Sequence, residues 1–406
     1  MVAALHRTSL LISALLVSVR SLAPAVTLDY GTFTGTDNYT IDSGAELPNA
    51  LTAYLGIPYA APPTGQLRYQ YPRPPLKRST ATAATAYGHM CMQAGTGDMN
   101  EDCLTLNVFA PKGTIRTSKL PVVIWIHGGS FNTGSGRGFI APLISNSPTK
   151  IMGVSINYRV GAFGFLPSNI THEAGLLNIG LYDQAYAIQW VHKYISLFGG
   201  DPNQVTLFGE SAGATAKITW PFQPVVDQKF IARAAHISWE TGQFNKVPIL
   251  TGFNSDEGTG FVPQNLNTTT QFNAFFKNLA PLISASQLAT VDKLYPDPNI
   301  AGSPYANSII SPQFSRVAAA YGDFAYIAQV QANAIYATTK HVPVWKYHFA
   351  HLTPGADAYL GVYHSSELSF VNGAIVPKNP GEVADQSRIM TAYWSSFIAS
   401  GNPTHP

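Results

Sequence analysis

Unbroken apolar runs and helically spaced apolar positions alternate through the middle of the chain. Leu120-Pro121-Val122-Val123-Ile124-Trp125-Ile126 contains no polar residue, the pattern of a strand buried on both faces. Residues 151–157 are a second, largely apolar strand pattern. Leu181, Ile188, Val191 and Ile195 then recur at helical spacing between Gly180 and Phe198, and Gly199-Gly200-Asp201-Pro202 stops that helix. Residues 205–208 predict the next strand. This order of strand, helix and strand predicts an α/β domain with a mostly parallel central sheet and helices on both faces. Residues 101–109 alternate and predict a further strand, 27–55 short strands and turns, and 247–253 and 342–349 two more sheet strands. Ile389, Met390, Tyr393, Trp394, Phe397 and Ile398 mark a closing amphipathic helix. The proline-punctuated stretch 56–69 reads as a surface segment.

Composition narrows the setting. With 406 residues the chain can bury a sizeable core, and no repeat or low-complexity linker divides it. Charged residues make up only 11% and the net charge is +2, with no long basic run interleaved with aromatics, so nucleic acid is not an expected partner. The N-terminus carries His6 and Arg7, an apolar run over 9–19 and the small-residue pattern Ala23-Pro24-Ala25. These parts predict a signal peptide over residues 1–25 and a secreted, extracellular domain over 26–406. The apolar run is too short to span a bilayer, so no stable membrane anchor is expected. Asn38, Asn169 and Asn267 each have Thr two positions on and are candidate N-glycan sites. Cys91 and Cys103 are the two cysteines. In an oxidising compartment they are expected to pair, stabilising by about 2–3 kcal/mol, and they offer too few ligands for a metal.

Chemistry concentrates on Phe208-Gly209-Glu210-Ser211-Ala212-Gly213-Ala214. A β-branched run ending in Gly-x-Ser-x-Gly predicts strand, sharp turn and helix start, with the serine hydroxyl lifted clear of the sheet. A serine nucleophile needs a base, an orienting acid and donors for an oxyanion. Upstream, His127-Gly128-Gly129-Ser130 follows a buried strand and can turn bare N–H groups toward a developing negative charge. Downstream, Asp256 and Glu257 lie just past a predicted strand, and the residues alone do not choose between them. Of the five later histidines, His341, His348, His351, His364 and His405, His364 is the best-placed base, on a loop leading toward a helix, and His351 is the next.

These motifs, with residues 56–68, Asn100-Glu101-Asp102-Cys103-Leu104, Asn157-Tyr158-Arg159, 198–202, 254–258 and Tyr363-His364, resemble the type-B carboxylesterase/lipase family, the cholinesterase-like branch of the α/β-hydrolases. They span nearly the whole mature chain. The resemblance implies the α/β-hydrolase fold, with Ser211 as nucleophile, His364 as general base and Glu257, rather than Asp256, as the acid. It implies an oxyanion hole from Gly129, Ser130 and Ala212, although Ser130 stands where the family usually has glycine. Cys91 and Cys103 match the family's first disulfide, and Glu101 matches an ion-pair partner for Arg68.

The resemblance also exposes a departure. Glu257 follows Ser211 by only 46 positions, where the family has a far longer stretch, and the family's next sheet strand is missing after the nucleophile turn. An internal truncation near 216–221 is therefore expected, with an incomplete sheet and a shortened C-terminus. The expected function is a secreted serine carboxylic-ester hydrolase working through an acyl-enzyme on small-molecule or lipid esters, with no metal or organic cofactor required. Peptide hydrolysis is a weaker option. The alternative is a catalytically impaired or silent cholinesterase-like extracellular binding protein.

Overall fold

The computed structural model describes residues 24–41, 47–214 and 222–404. Almost all of the expected leader, the whole of the expected join at 216–221, and His405 lie outside the described residues. The strands in chain order are β1 (Ala25–Leu28), β2 (Gly31–Thr34), β3 (Leu51–Pro58), β4 (Thr82–Ala83), β5 (Thr105–Pro111), β6 (Leu120–Ile126), β7 (Met152–Ile156), β8 (Gly200–Gly209), β9 (Ile249–Asn254) and β10 (Val344–Phe349). The helices are α1 (Ile140–Asn146), α2 (Gly161–Phe165), α3 (Asn169–Glu173), α4 (Ile179–Tyr194), α5 (Ala235–Thr241), α6 (Thr269–Leu279), α7 (Ala285–Leu294), α8 (Phe314–Gly322), α9 (Ala328–Thr339), α10 (Leu368–Val371) and α11 (Glu382–Ser400).

Five strands form the main sheet in the order β3-β5-β7-β6-β8. Side chains alternate across a strand, and this sorts the apolar runs onto two faces. From β6, Val122, Ile124 and Ile126 join one core with Trp190 and Val191 of α4. Val123 and Trp125 join the opposite core with α1, α10 and Met390, Trp394 and Ile398 of α11. The sheet is thus covered on both sides, as the unbroken apolar runs require. Pairing is parallel for β7–β6 and β6–β8, the half that carries the serine. It is antiparallel for β3–β5 and β5–β7, a mixture that apolar patterning does not reveal.

Two local expectations change. The segment 56–69 is not a surface segment at its start: β3 runs to Pro58, and Tyr59, Ala60 and Ala61 are buried, with the Tyr59 hydroxyl donating to the Asn157 carbonyl at 2.7 Å. Strand β8 begins at Gly200 instead of 205, because Gly199, at φ 97°, ends the preceding turn at once and the register shift beside Val122 accommodates Asp201 and Pro202.

Among the described residues the sheet does not continue past β8. Strands β9 and β10 pair in parallel as a separate two-stranded sheet. Helix α11 holds the two pieces together: the Trp394 ring lies 6.5 Å from Phe208 on β8 and 5.0 Å from Tyr347 on β10. A third core, built from α6, α7, α8 and a π-helical turn over Asp323–Ile327, packs Phe272, Phe276, Phe314, Val317 and Tyr326.

Candidate active site

Strand β8 delivers Ser211 through a strained turn. Ser211 has φ 55°, the left-handed region, which for a residue other than glycine costs on the order of 1–3 kcal/mol. The turn survives because its surroundings fix it. A Cβ on Gly213 would lie 2.1 Å from the Ile126 carbonyl oxygen, and one on Gly128 would lie 3.0 Å from the Ser211 Cβ. Only glycine permits this approach of the upstream loop to the serine. After Ser211 a 3-10 turn covers Ser211–Ala214, and the rest of the expected helix lies outside the described residues.

Beyond β9, the two adjacent carboxylates point in different directions. Asp256 accepts from the Val362 amide at 2.8 Å and clamps the loop before His364. Glu257 is buried, accepts from the Asn254 amide through Oε1 at 2.7 Å, and meets His364 Nδ1 through Oε2 at 2.6 Å. His364 is the histidine at this site. His351 turns to the Leu352 carbonyl at 2.8 Å, and His348 to Ser255 Oγ at 2.9 Å. His341 follows the end of helix α9, with φ 58°.

The other nitrogen of His364 does not meet the serine. Its Nε2 lies 3.0 Å from Glu210 Oε1, a charge contact poorly aligned for a hydrogen bond, and Ser365 Oγ donates to the same Glu210 oxygen at 2.6 Å. Among the described hydrogen bonds none joins Ser211 to His364. Burial pulls the imidazole pKa down, but the carboxylates of Glu210 and Glu257 outweigh it and hold the pKa up at about 10.

The upstream loop presents free donors. Gly129, Ser130 and Phe131 have φ 102°, 56° and 60°, so serine adopts here the conformation in which glycine would be unstrained. The Gly129 carbonyl accepts from the Asn132 and Thr133 amides, both at 2.9 Å, while the Gly129 and Ser130 amides find no partner among the described residues. Buried Ala212 follows the serine. His127 stacks on Tyr158 at 4.3 Å and is held neutral by burial, with its pKa pulled down to about 4. Gln93 pins the loop's far end through Gly134, accepting from its amide at 2.8 Å and donating to its carbonyl at 2.9 Å.

The flanking features are also in place. Cys91 and Cys103 are disulfide-bonded. Arg68 grips Glu101 with two hydrogen bonds, Nε to Oε2 at 2.6 Å and a terminal nitrogen to Oε1 at 2.5 Å. Sequence reasoning missed Glu210, Ser365 and Tyr326, whose ring lies 4.4 Å from that of His364. Glu210 carried a readable signal, a carboxylate beside the candidate nucleophile inside the motif itself. Tyr326 carried none, because a π-helical turn places it.

Fold and site together define an α/β-hydrolase. A model of the carboxylesterase family matches residues 22–218 and 215–406; the chain belongs to this family and is by class a carboxylic ester hydrolase. It is 31% identical to secreted lipase 4 of Gibberella zeae, over 92% of this chain and 83% of that one. It is 28% identical to the para-nitrobenzyl esterase of Bacillus subtilis, over 93% and 90%. The crystal structure of Aspergillus niger EstA superposes with a TM-score of 0.81 at 26% identity, covering 94% of this chain and 90% of that chain. No helix among the described residues is long and apolar enough to cross a membrane.

Proposed function

We propose that this chain is a secreted serine esterase that cleaves carboxylic esters through an acyl-enzyme. Ser211 Oγ attacks the ester carbonyl carbon while His364 Nε2 takes its proton. The amides of Gly129, Ser130 and Ala212 receive the oxyanion, and Glu257 orients the imidazole and stabilises its charge. His364 returns the proton to the leaving alcohol, then activates a water that releases the acid. The observation that carries this reading is the buried Glu257–His364 hydrogen bond lining the same cavity as a strained Ser211 at the end of β8. Secretion is supported by the leader-like N-terminus and by the exposure of Asn38, Asn169 and Asn267, the candidate glycan sites. The truncation near 216–221 is supported by the family model's two stretches, which share residues 215–218, and by the break after β8. Sequencing the transcript across this region tests it: an unbroken longer reading frame identifies the join as an error in the written chain.

A second reading rests on Glu210. With His364 Nε2 held by that carboxylate, the chain is a catalytically impaired or silent extracellular binding protein. One experiment separates the two. A serine-directed organophosphonate labels Ser211, and the chain hydrolyses a chromogenic short-chain ester that Ser211→Ala leaves intact, if the esterase reading holds. No label and equal rates in both proteins select the silent one. Parallel assays with amide substrates decide against or for peptide hydrolysis.

A further inference from the structure

We infer that a glycan on Asn38 folds back onto the protein, with its first N-acetylhexosamine unit seated in the cavity that Asn38 itself borders. This rests on the reading that the chain is secreted, because N-glycans are added along that route. The sequon is Asn38-Tyr39-Thr40, and Asn38 lies in an exposed bend a few residues after β2. Its backbone amide donates to Thr36 Oγ1 at 3.1 Å, which holds the bend. Its carboxamide nitrogen, the atom that carries a glycan, makes no hydrogen bond among the described residues. At Asn267, by contrast, that nitrogen already donates to the Asn265 carbonyl at 3.1 Å. The cavity measures about 500 Å³. That lies within the range of about 300–1,000 Å³ usual for small-molecule sites. All three sequon residues border it, as do Thr85, Tyr87, Asp98 and Arg137.

The chemistry of this lining selects a sugar. Leu55 and Ala86 are its aliphatic residues, so an acyl chain finds little apolar surface to bury. A pyranose has C–H faces that pack on phenol rings, and rim hydroxyls that both donate and accept. The rings here are held in place. The Tyr39 and Tyr87 hydroxyls lie 2.7 Å apart, Tyr39 meets Phe109 edge to face at 5.1 Å, and the Arg137 guanidinium lies 5.7 Å from the Tyr87 ring centre. Asp98 supplies an acceptor. It receives Arg137 at 3.1 Å and meets His89 at 2.5 Å, yet its side chain is still 55% exposed, with lone pairs open to a sugar hydroxyl. The covalent link holds the first unit at the cavity, so modest contacts suffice to seat it, as in any intramolecular binding. Asp98 also lies within the loop closed by Cys91 and Cys103. A seated sugar would therefore tie the N-terminal segment to that loop and stabilise both.

The test uses the full chain secreted from a eukaryotic cell culture, with occupancy at each sequon read by mass spectrometry of its peptides. Thermal melting then compares three forms: the untrimmed protein, the protein trimmed by an endoglycosidase that leaves the first sugar, and Asn38→Gln. The proposal expects an occupied Asn38, equal melting of the untrimmed and trimmed forms, and a melting temperature lower by about 2 °C in Asn38→Gln. Tyr87→Leu, which removes one ring of the seat, is expected to make the glycan irrelevant: Asn38→Gln then lowers melting no further. Should Tyr87→Leu fail to be secreted, the trimming comparison decides alone. An unoccupied Asn38 overturns the proposal. So do unchanged melting in Asn38→Gln, a stabilisation lost on trimming to one sugar, and fully additive effects of the two substitutions. Glycan at none of the sequons counts against the secreted reading as well, whereas an occupied Asn38 without stabilisation counts against the seat alone.

Discussion

In the proposed mechanism Glu210 is the residue that sets the state of the base, since its carboxylate lies 3.0 Å from His364 Nε2. A general base works when it is unprotonated near the operating pH, and a carboxylate on each nitrogen opposes that. With the His364 pKa held at about 10, ester hydrolysis is expected to climb as pH rises toward that value. Glu210→Gln removes one of the two opposing charges, so the rising limb of the pH–rate profile should move to lower pH and the rate at neutral pH should increase. An unmoved profile would show that Glu210 does not control the base. Linkage gives the same pair a stability signature. The folded pKa lies above the ordinary value of 6.5, so the stabilisation is fully present below 6.5 and is lost as pH rises through about 10. Glu210→Gln should narrow that window in a melting series.

At the scale of elements, the glycine-rich loop after β6 is tightly constrained. Gly134, at φ 111°, has no room for a side chain, since a Cβ would sit 2.2 Å from His127 Nδ1 and 2.6 Å from the Gly128 carbonyl oxygen. Gly134→Ala is expected to push the loop off the serine and to lower kcat by about 100-fold, the scale of a lost oxyanion donor, with a smaller effect on KM. Steady-state kinetics on a chromogenic ester would read this directly. The same constraints explain what could be read in advance. Glycine spacing around Ser211 and after β6 is dictated locally, so turn and loop were legible. Asp256 and Glu257 are neighbours on one turn, and only the long-range partners Val362 and His364 separate them. Ser365 reaches Glu210 across 155 positions, a contact no local pattern encodes. Strand direction was equally hidden: buried runs look alike in parallel and antiparallel pairs, so the antiparallel half went unread.

For the whole molecule, the interrupted sheet sets where it opens first. Among the described residues, strands β6 and β7 are paired on both sides, while β8 and β9 each keep one ladder. Hydrogen exchange by mass spectrometry should therefore find residues 205–209 and 249–253 exchanging faster than 122–126 and 152–156. Uniform protection across these strands would mean that the break leaves no weakness. The chain is also expected to melt below a relative with a continuous sheet. The Gln93 clamp, finally, ties the molecule to its surroundings. Gln93 sits inside the loop closed by Cys91 and Cys103, and it holds Gly134 with two hydrogen bonds. The redox state of one covalent bond would thus reach the loop whose amides are proposed to receive the oxyanion. In a thiol-rich medium the tether slackens, and turnover should decline while the fold persists. A Cys91→Ser, Cys103→Ser protein with unchanged circular dichroism and reduced kcat would display that coupling, and full activity would refute it.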